Sequence, residues 1–275
     1  MASLHSRLFG TDGIRGVAGQ LPLDPVTVGN IGRSLASRLA ESLGRNAFLV
    51  IGRDTRESGP AIQAALTRGA VSAGAQVSSA GVIPTPGVAY ITRVAGFDAG
   101  IVISASHNPF GDNGIKVFSP TGKKLDDETE RLIEADVAAK TSSSSGIAAD
   151  LGPATPDDAA ADYHNRYASF LIDDVGGGLE LRGLKLAVDC ANGAASAIAP
   201  GVFTRLGAVV DALAISPNGR NINDGCGSLH TEALQAAVKE RDLDLGIAFD
   251  GDADRALFVD ERGALVDGDA VMLLL

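Results

Sequence analysis

Short apolar runs alternate with amphipathic segments along most of this chain. In the first half, the spacing predicts strands at 47–54, 75–82 and 99–106, a strand and turn at 114–125, and helices at 59–74, 85–96 and 126–140. The second half continues the alternation, with strands at 184–191, 208–215 and 243–250, helices at 196–207 and 231–242, and a hairpin at 256–266. Strands separated by helices in this way predict largely parallel sheets covered by helices.

One segment between the two halves has the composition of a linker. Residues 141–156 are rich in serine, glycine and proline. A helix is expected directly after it, with Thr155 as its N-cap and Pro156 as its first residue. Asp158 then takes the acidic position of a capping box, which supports a helix start here.

The repeated strand–helix pattern predicts an α/β protein built from two consecutive doubly wound domains. Each half of the chain holds one βαβαβ unit, and we place the domains at 1–145 and 155–262. In such sheets, ligands bind beyond the carboxyl ends of the strands. The polar stretches 104–109 and 250–255 each follow a predicted strand, so we expect the functional site to include both.

The composition is that of an acidic protein with a sizeable core. The sequence has 275 residues, 45% of them hydrophobic, and its formal net charge of −11 argues against a nucleic-acid partner. The first ten residues lack the apolar stretch of a signal peptide, and no run approaches the ~18 apolar residues of a membrane span. Cys190 and Cys226 form no CxxC motif. We therefore expect a cytoplasmic protein with reduced thiols and no membrane contact.

Polar residues follow the apolar run 101–103 at once, beginning with Ser104, Ser106 and His107. A serine is a poor nucleophile without an activating group, and the adjacent His107 suggests an acyl-transfer pair. However, chain neighbours rarely face each other, and the sequence lacks a GxSxG elbow here. A serine that carries a phosphoryl group explains the stretch better, because phosphoserine supplies acceptor oxygens and negative charge that Lys116 can offset.

Three aspartates follow another apolar strand at alternate positions, as Asp250, Asp252 and Asp254. Carboxylates held this close repel each other, so a hard divalent cation such as Mg²⁺ is the expected ligand. A calcium EF-hand is one alternative, because the aspartates and Glu261 match its ligand spacing. Arg255 argues against it, since it stands where that loop needs glycine, and the flanks read as strands. A solvated acidic turn is the other alternative.

A third stretch, FGTDGIRG at 9–16, combines glycines with Arg15. Glycine lets the backbone approach a ligand closely, and arginine presents planar donors suited to phosphate. The stretch is not a Walker loop, because the GK[ST] ending is absent. Together the three stretches indicate a site in which a phosphate on Ser106 adds a fourth oxygen to a cation held by the aspartates, with Lys116 and Arg255 offsetting charge or moving protons.

Six strings resemble motifs of the α-D-phosphohexomutase family, in that family's order and spacing. They are LFGTDGIRG, VISASHNPFGDNGIKVF, DCANGAAS, PNGRNIND, CGSLHTE and DGDADR. The resemblance covers the whole chain, which looks like the first two domains of such an enzyme. Residues 263–275 look like the start of a truncated third domain, and a chain lacking the family's later domains is expected to be inactive or weakly active.

The resemblance implies a role for each residue of the site. Ser106 is expected to be the phosphorylated catalytic serine, and its phosphate to bind Mg²⁺ together with Asp250, Asp252 and Asp254. Lys116 and Arg15 are expected to serve in proton transfer or phosphate stabilisation. The residues expected to line the substrate site are His107, Asn108 and Arg255.

The activity implied by the resemblance is that of an isomerase acting on a phosphosugar. The opening motif and Ser104 favour family members that interconvert glucosamine 6-phosphate and glucosamine 1-phosphate in cell-wall precursor synthesis. These enzymes work through a phosphoserine and a sugar 1,6-bisphosphate. The alternatives are a member acting on mannose or glucose phosphates, and a non-catalytic fragment that binds a phosphosugar or a metal. The sequence predicts no oligomeric state.

Overall fold

A computed structural model describes residues 8–141 and 156–274, and its first domain is a five-stranded mixed sheet flanked by helices. The strands are β1 Ile14–Val17, β2 Phe48–Arg53, β3 Gln76–Val82, β4 Ala99–Ile103 and β5 Asp112–Phe118. The helices are α1 Pro25–Leu43, α2 Gly59–Ser72, α3 Thr85–Val94 and α4 Asp127–Thr141. The strand order is β1-β5-β4-β2-β3, in which β2, β3 and β4 are parallel and the other two strands run antiparallel to their neighbours.

The second domain repeats this arrangement. Its strands are β6 Lys185–Asp189, β7 Val209–Leu213, β8 Leu245–Phe249, β9 Ala256–Val259 and β10 Leu265–Val266, in the order β10-β9-β8-β6-β7. Its helices are α5 Ala160–Ser169, α6 Ala199–Arg205 and α7 Glu232–Glu240, and α8 Gly268–Leu274 follows β10 in the segment predicted to begin a third domain. The parallel strands β7, β6 and β8 are followed by the antiparallel β9 and β10. The predicted pair of doubly wound α/β domains is confirmed, with antiparallel strands added at one edge of each sheet.

Helix α1 packs on one face of the first sheet, in a region before residue 47 where the hydrophobic pattern was not used to predict an element. It begins at Pro25, where the Asp24 side chain accepts hydrogen bonds from two backbone amides, and it ends at Gly44 in the left-handed conformation. Its apolar stripe includes the buried residues Val28, Ile31 and Leu35. These cap and stripe signals were present in the sequence and were missed.

The helix expected after the linker begins later than predicted. Pro156 lies outside the helix, which starts at Ala160 after a turn and has no side-chain cap. The predicted cap Thr155 lies outside the described residues. Helix α5 continues into a π-helical turn at Phe170–Val175, and its aromatic side chains pack on the first domain, where Phe170 stacks on Tyr90 at a centroid distance of 4.2 Å. Helix α5 therefore buries its apolar face at the junction of the two domains.

The helix predicted at 196–207 is split into two shorter elements. A 3-10 turn spans Ala194–Ala197, and α6 follows at Ala199–Arg205 with Pro200 in its first turn.

Among the described helices, none is long and apolar enough to cross a membrane. The carboxyl ends of β4 and β8 face each other across the domain junction, where Ser106 contacts Asp250. The junction therefore brings the two polar stretches together.

Candidate active site

The loop after β4 holds Ser106 in an unusual backbone conformation. Ser106 has a φ of +53°, in the left-handed region, and only 2% of its surface is exposed. Its amide donates a hydrogen bond of 2.9 Å to Ser104 Oγ, which itself donates to Asp54 at 2.6 Å. Ser104 is therefore occupied in supporting the loop, and Ser106 is the serine presented to the second domain.

Three side chains surround the hydroxyl of Ser106. Ser106 Oγ donates to Asp250 Oδ2 at 2.6 Å and accepts from Arg255 Nη2 at 2.7 Å. His107 Nδ1 lies 3.3 Å from the same oxygen and accepts a hydrogen bond from Arg255. A phosphoryl group on this oxygen would therefore lie between a cationic side chain and the aspartate loop.

The three aspartates form a cluster suited to a cation. Each offers a carboxylate oxygen within 4.8 Å of the others, and Asp250 and Asp252 are buried. Asp252 Oδ1 is buried and has no hydrogen-bond partner among the residues that the structure describes. Burial and the charge of Asp252 raise the pKa of Asp250 to about 6. An orphaned buried carboxylate oxygen beside two further carboxylates fits a divalent cation with oxygen ligands.

The elements around the cluster exclude a calcium EF-hand. That motif requires a helix on each side of its loop. Here Asp250 follows strand β8 directly, and β9 begins at Ala256, directly after Arg255. Two of the aspartates are buried, which also distinguishes the cluster from a solvated acidic turn.

Lys116 lies against the same cluster, on strand β5 and not on a loop. Its Nζ is 3.1 Å from Asp252 Oδ2, 3.0 Å from Asp254 Oδ2 and 3.2 Å from Asp12 Oδ2. Burial alone would lower the pKa of Lys116, but the charges of Asp252 and Asp254 outweigh it and raise the pKa above its ordinary value. Lys116 is therefore a protonated cation at neutral pH.

The remaining predicted residues lie at the rim of the site. Arg15 forms an ion pair of 2.9 Å with Asp12, which links it to Lys116. Burial, followed by the charges of Arg255 and Arg15, lowers the pKa of His107, so its imidazole is neutral at pH 7. The Asn108 side chain instead donates to Asp112 Oδ2 at 2.9 Å, within its own loop.

Two residues that contact the site were not predicted from the sequence. Thr85, the first residue of α3, donates through its hydroxyl to Asp252 Oδ2 at 2.7 Å and through its amide to the Asp252 carbonyl at 2.9 Å. Asp12 accepts from both Arg15 and Lys116. Asp12 lies within the quoted FGTDGIRG stretch and could have been singled out there, whereas the local sequence around Thr85 carries no signal for its contact.

Gly251 allows the aspartate loop to approach Ser106 closely. A Cβ at this position would lie 2.6 Å from the Ser106 carbonyl oxygen and 2.8 Å from Ile222 Cδ1. We expect Gly251→Ala to push the two domains apart and to lower the free energy of unfolding by about 1–3 kcal/mol. Denaturant unfolding measures this loss. Gly201→Ala is the control, since nothing lies within 4 Å of its Cβ, and equal stability of the two variants would contradict the close approach.

Comparison with known proteins identifies the family. Residues 6–144 match the family model "Phosphoglucomutase/phosphomannomutase, alpha/beta/alpha domain I", and residues 165–263 match the corresponding model of domain II. The chain belongs to the phosphoglucomutase/phosphomannomutase family, which confirms the resemblance seen in its motifs. Members of this family use a metal ion, in keeping with the aspartate cluster.

Curated relatives are similar to nearly all of this chain. It is 50% identical over 270 residues to "Phosphoglucosamine mutase" of Deinococcus radiodurans and 51% identical over 276 residues to "Phosphoglucosamine mutase" of Koribacter versatilis. Each match covers 98% of this chain, but the chain spans only 59% and 58% of the lengths of these relatives. A "Phosphoglucomutase/phosphomannomutase family protein" from Burkholderia thailandensis has a similar structure, with a TM-score of 0.78, 27% identity, and coverage of 98% of this chain and 57% of its own.

Proposed function

We propose that this chain carries the phosphoryl-transfer site of a phosphoglucosamine mutase, which interconverts glucosamine 6-phosphate and glucosamine 1-phosphate. The observation that carries the proposal is the position of Ser106 Oγ, 2.6 Å from Asp250 and 2.7 Å from Arg255. A serine that passes a phosphoryl group back and forth needs charge neutralisation and fixed geometry more than a strong base. Both needs are met by side chains from the two domains.

The reaction begins with the phosphoryl group on Ser106. A sugar hydroxyl attacks the phosphorus, the bond from phosphorus to Ser106 Oγ breaks, and the proton of the attacking hydroxyl replaces the phosphoryl group on the serine. Arg255 is within hydrogen-bond distance of the departing oxygen and stabilises its negative charge. The resulting sugar 1,6-bisphosphate then returns its other phosphoryl group to Ser106, which completes the isomerisation.

Asp250, Asp252 and Asp254 hold Mg²⁺ in this proposal. The cation would supply electrostatic stabilisation of the phosphoryl oxygens during transfer. Thr85 orients Asp252 by occupying its Oδ2, which leaves the orphaned Oδ1 available as a ligand. Protonated Lys116 and Arg15, which are connected through Asp12, supply further positive charge beside the aspartate cluster. His107 and Arg255 are the predicted side chains left to contact the phosphosugar, because the Asn108 side chain is held by Asp112 within its own loop.

The choice of sugar rests on the curated relatives, which are phosphoglucosamine mutases at about half identity. The test is to incubate the purified chain with Mg²⁺ and, in parallel, with glucosamine, glucose or mannose 1,6-bisphosphate, and to follow phosphorylation by intact mass. We expect fastest phosphorylation with the glucosamine compound. Preference for glucose or mannose would assign the alternative family activity, and no phosphorylation by any of the three would favour a binding module.

Replacement of Lys116 separates metal binding from phosphoryl transfer. The Nζ of Lys116 lies beside two of the proposed metal ligands, so Lys116→Met removes a charge that competes with the cation. We expect Mg²⁺ affinity to stay equal or rise, while the rate of Ser106 phosphorylation falls by about 100-fold or more. Calorimetric titration and mass-spectrometric kinetics measure the two effects.

Lys124→Met is the matched control for this experiment. Lys124 is also paired with two acidic residues, Asp127 and Glu130, but on the first-domain surface near α4. Its replacement is expected to leave both quantities unchanged. A Lys116→Met protein that accepts phosphate at the unaltered rate would contradict the role of Lys116.

A further inference from the structure

The Ser106 loop is held from within its own domain by one buried arginine. The side chain of Arg56 is fully buried, and all five of its N–H groups have partners. Nε donates to Asp54 at 2.9 Å. The two terminal nitrogens donate to four backbone carbonyls of the loop, which belong to Ser106, Asn108, Pro109 and Asp112.

The convergence of these carbonyls on one guanidinium fixes the path of the loop. Buried carbonyls need donors, and a loop without strand pairing must find them in side chains. The buried charge of Arg56 is in turn balanced by Asp54, which also accepts from Ser104. Arg56 therefore acts on both sides of Ser106. It donates directly to the Ser106 carbonyl, and it pairs with Asp54, which holds the Ser104 hydroxyl that accepts from the Ser106 amide.

A second donor reaches the same two carbonyls from the other domain. Asn223 Nδ2 lies 2.9 Å from the Ser106 carbonyl oxygen and 3.2 Å from that of Asn108. Asn223 is 9% exposed and has a φ of +58°. Its backbone N–H donates to the Ala191 carbonyl at 2.9 Å, within the second domain. The Ser106 carbonyl thus accepts hydrogen bonds from Arg56 of the first domain and from Asn223 of the second.

We propose that Arg56 and Asn223 are positioning residues for phosphoryl transfer, and that Asn223 makes the alignment of Ser106 depend on docking of the second domain. With its amide and carbonyl both fixed, Ser106 directs its hydroxyl toward Asp250 and Arg255. Without Asn223, the loop keeps its hold on the first domain but loses the hydrogen bonds that join its Ser106 and Asn108 carbonyls to the second domain. This inference rests on the proposed function, because it assigns the two residues to the same transfer step.

Asn223→Gly is the decisive variant, because glycine accommodates the left-handed backbone and removes the whole side chain with its amide. Asn192→Gly is its matched control. Asn192 has the same exposure of 9% and a φ of +48°, but its side chain bonds only within the second domain, to Asn221, Ser216 and Cys226. Comparison of the two variants cancels the general cost of removing a buried asparagine from this domain.

The first readout is hydrogen exchange of the backbone amides in 104–112, followed by mass spectrometry. We expect faster exchange in Asn223→Gly than in Asn192→Gly at equal overall stability. The second readout is Ser106 phosphorylation by glucosamine 1,6-bisphosphate with Mg²⁺. We expect its rate at saturating bisphosphate to fall by about 100-fold in Asn223→Gly, with Mg²⁺ affinity unchanged, because small misplacements of a reacting atom carry large rate penalties.

Arg56→Lys tests the other half of the pair, with Arg45→Lys as its control. Lysine keeps the charge beside Asp54 but cannot supply five planar donors, so the loop should again exchange faster. Arg45 also pairs with a buried aspartate, Asp98, but its guanidinium is half exposed and donates to no carbonyl of the Ser106 loop. Equal loop exchange in Arg56→Lys and Arg45→Lys would overturn the role of Arg56, whereas the asparagine pair tests Asn223 independently.

The outcomes separate this inference from the proposed function. Equal loop exchange in the two asparagine variants, or equal rates of phosphorylation, would overturn the positioning role of Asn223. A wild-type chain that accepts no phosphate from any sugar bisphosphate would instead contradict the proposed function. In that case the exchange measurement alone still decides whether Asn223 holds the loop.

Discussion

Ser106→Ala is expected to abolish phosphorylation of this protein by a sugar 1,6-bisphosphate. The substitution removes the Oγ atom that we propose accepts the phosphoryl group, which lies 2.6 Å from Asp250 Oδ2. The fold should survive, because Ala191 and Ala253 already adopt the same left-handed backbone in this chain. Intact mass after incubation with Mg²⁺ and glucosamine 1,6-bisphosphate provides the measurement.

Ser104→Ala is the informative comparison. Its hydroxyl supports the Ser106 amide and contacts Asp54, so its loss should slow phosphorylation without changing the site of attachment. Peptide mapping should still find the phosphate on Ser106. A phosphate found on Ser104 in the wild-type chain, or undiminished phosphorylation of Ser106→Ala, would contradict the assignment of Ser106 as the residue that accepts the phosphoryl group.

The site could be located from the sequence because its residues directly follow buried strands. Ser106 and Asp250 are 144 positions apart, yet each lies just beyond the carboxyl end of a parallel strand, where doubly wound sheets bind ligands. The residue types then narrowed the possible reactions. Clustered carboxylates favour binding of a cation, and a serine beside such a cluster favours phosphoryl transfer. The roles of the individual side chains remain predictions that the variants above test.

The supports of the site could not be predicted in the same way. Arg56 contacts carbonyls about fifty positions further along the chain, and Asn223 contacts carbonyls 117 and 115 positions before it. Every residue has a backbone carbonyl, so the sequence does not indicate which carbonyls will need a side-chain donor or which side chain will supply it. The left-handed backbone of Asn223 is likewise a product of the folded loop.

The antiparallel edge of each sheet shows a second limit of sequence patterns. Alternation of strands and helices predicts parallel strands, but it does not say where the next strand will pair. Strand β5 returns antiparallel to β4, with Val102 opposite Lys116. This register directs Lys116 toward the aspartates. The position of Lys116 therefore depends on a pairing that becomes visible only in the assembled sheet.

Asp252→Asn should cost more Mg²⁺ affinity than any other single change of the cluster that keeps side-chain shape. Asp252 contributes a buried carboxylate whose Oδ1 has no protein partner, whereas its Oδ2 is held by Thr85 and Lys116. Changes in residues around metal ligands already cost about 10–100-fold in affinity, so loss of this charged ligand should cost at least about 100-fold. Calorimetric titration measures it directly.

Two opposing effects act on the metal-free stability of the same variant. Removal of one of three adjacent charges relieves repulsion, and the pKa of Asp250, now raised partly by Asp252, should fall. The variant also loses the ion pair between Asp252 and buried Lys116, so without added cation we expect its melting temperature to stay near that of the wild type. Because a ligand stabilises only the state that binds it, added Mg²⁺ should raise the melting temperature of the wild type and leave that of Asp252→Asn nearly unchanged.

Asp260→Asn is the control for both measurements. Asp260 lies just after β9, where its carboxylate accepts hydrogen bonds from backbone amides of its own turn, outside the aspartate cluster. This variant should keep the Mg²⁺ affinity of the wild type and its Mg²⁺-dependent rise in melting temperature. Undiminished affinity in Asp252→Asn would mean that the cluster does not hold the cation through this residue, and a rise in affinity for Ca²⁺ over Mg²⁺ would point to a different ligand geometry.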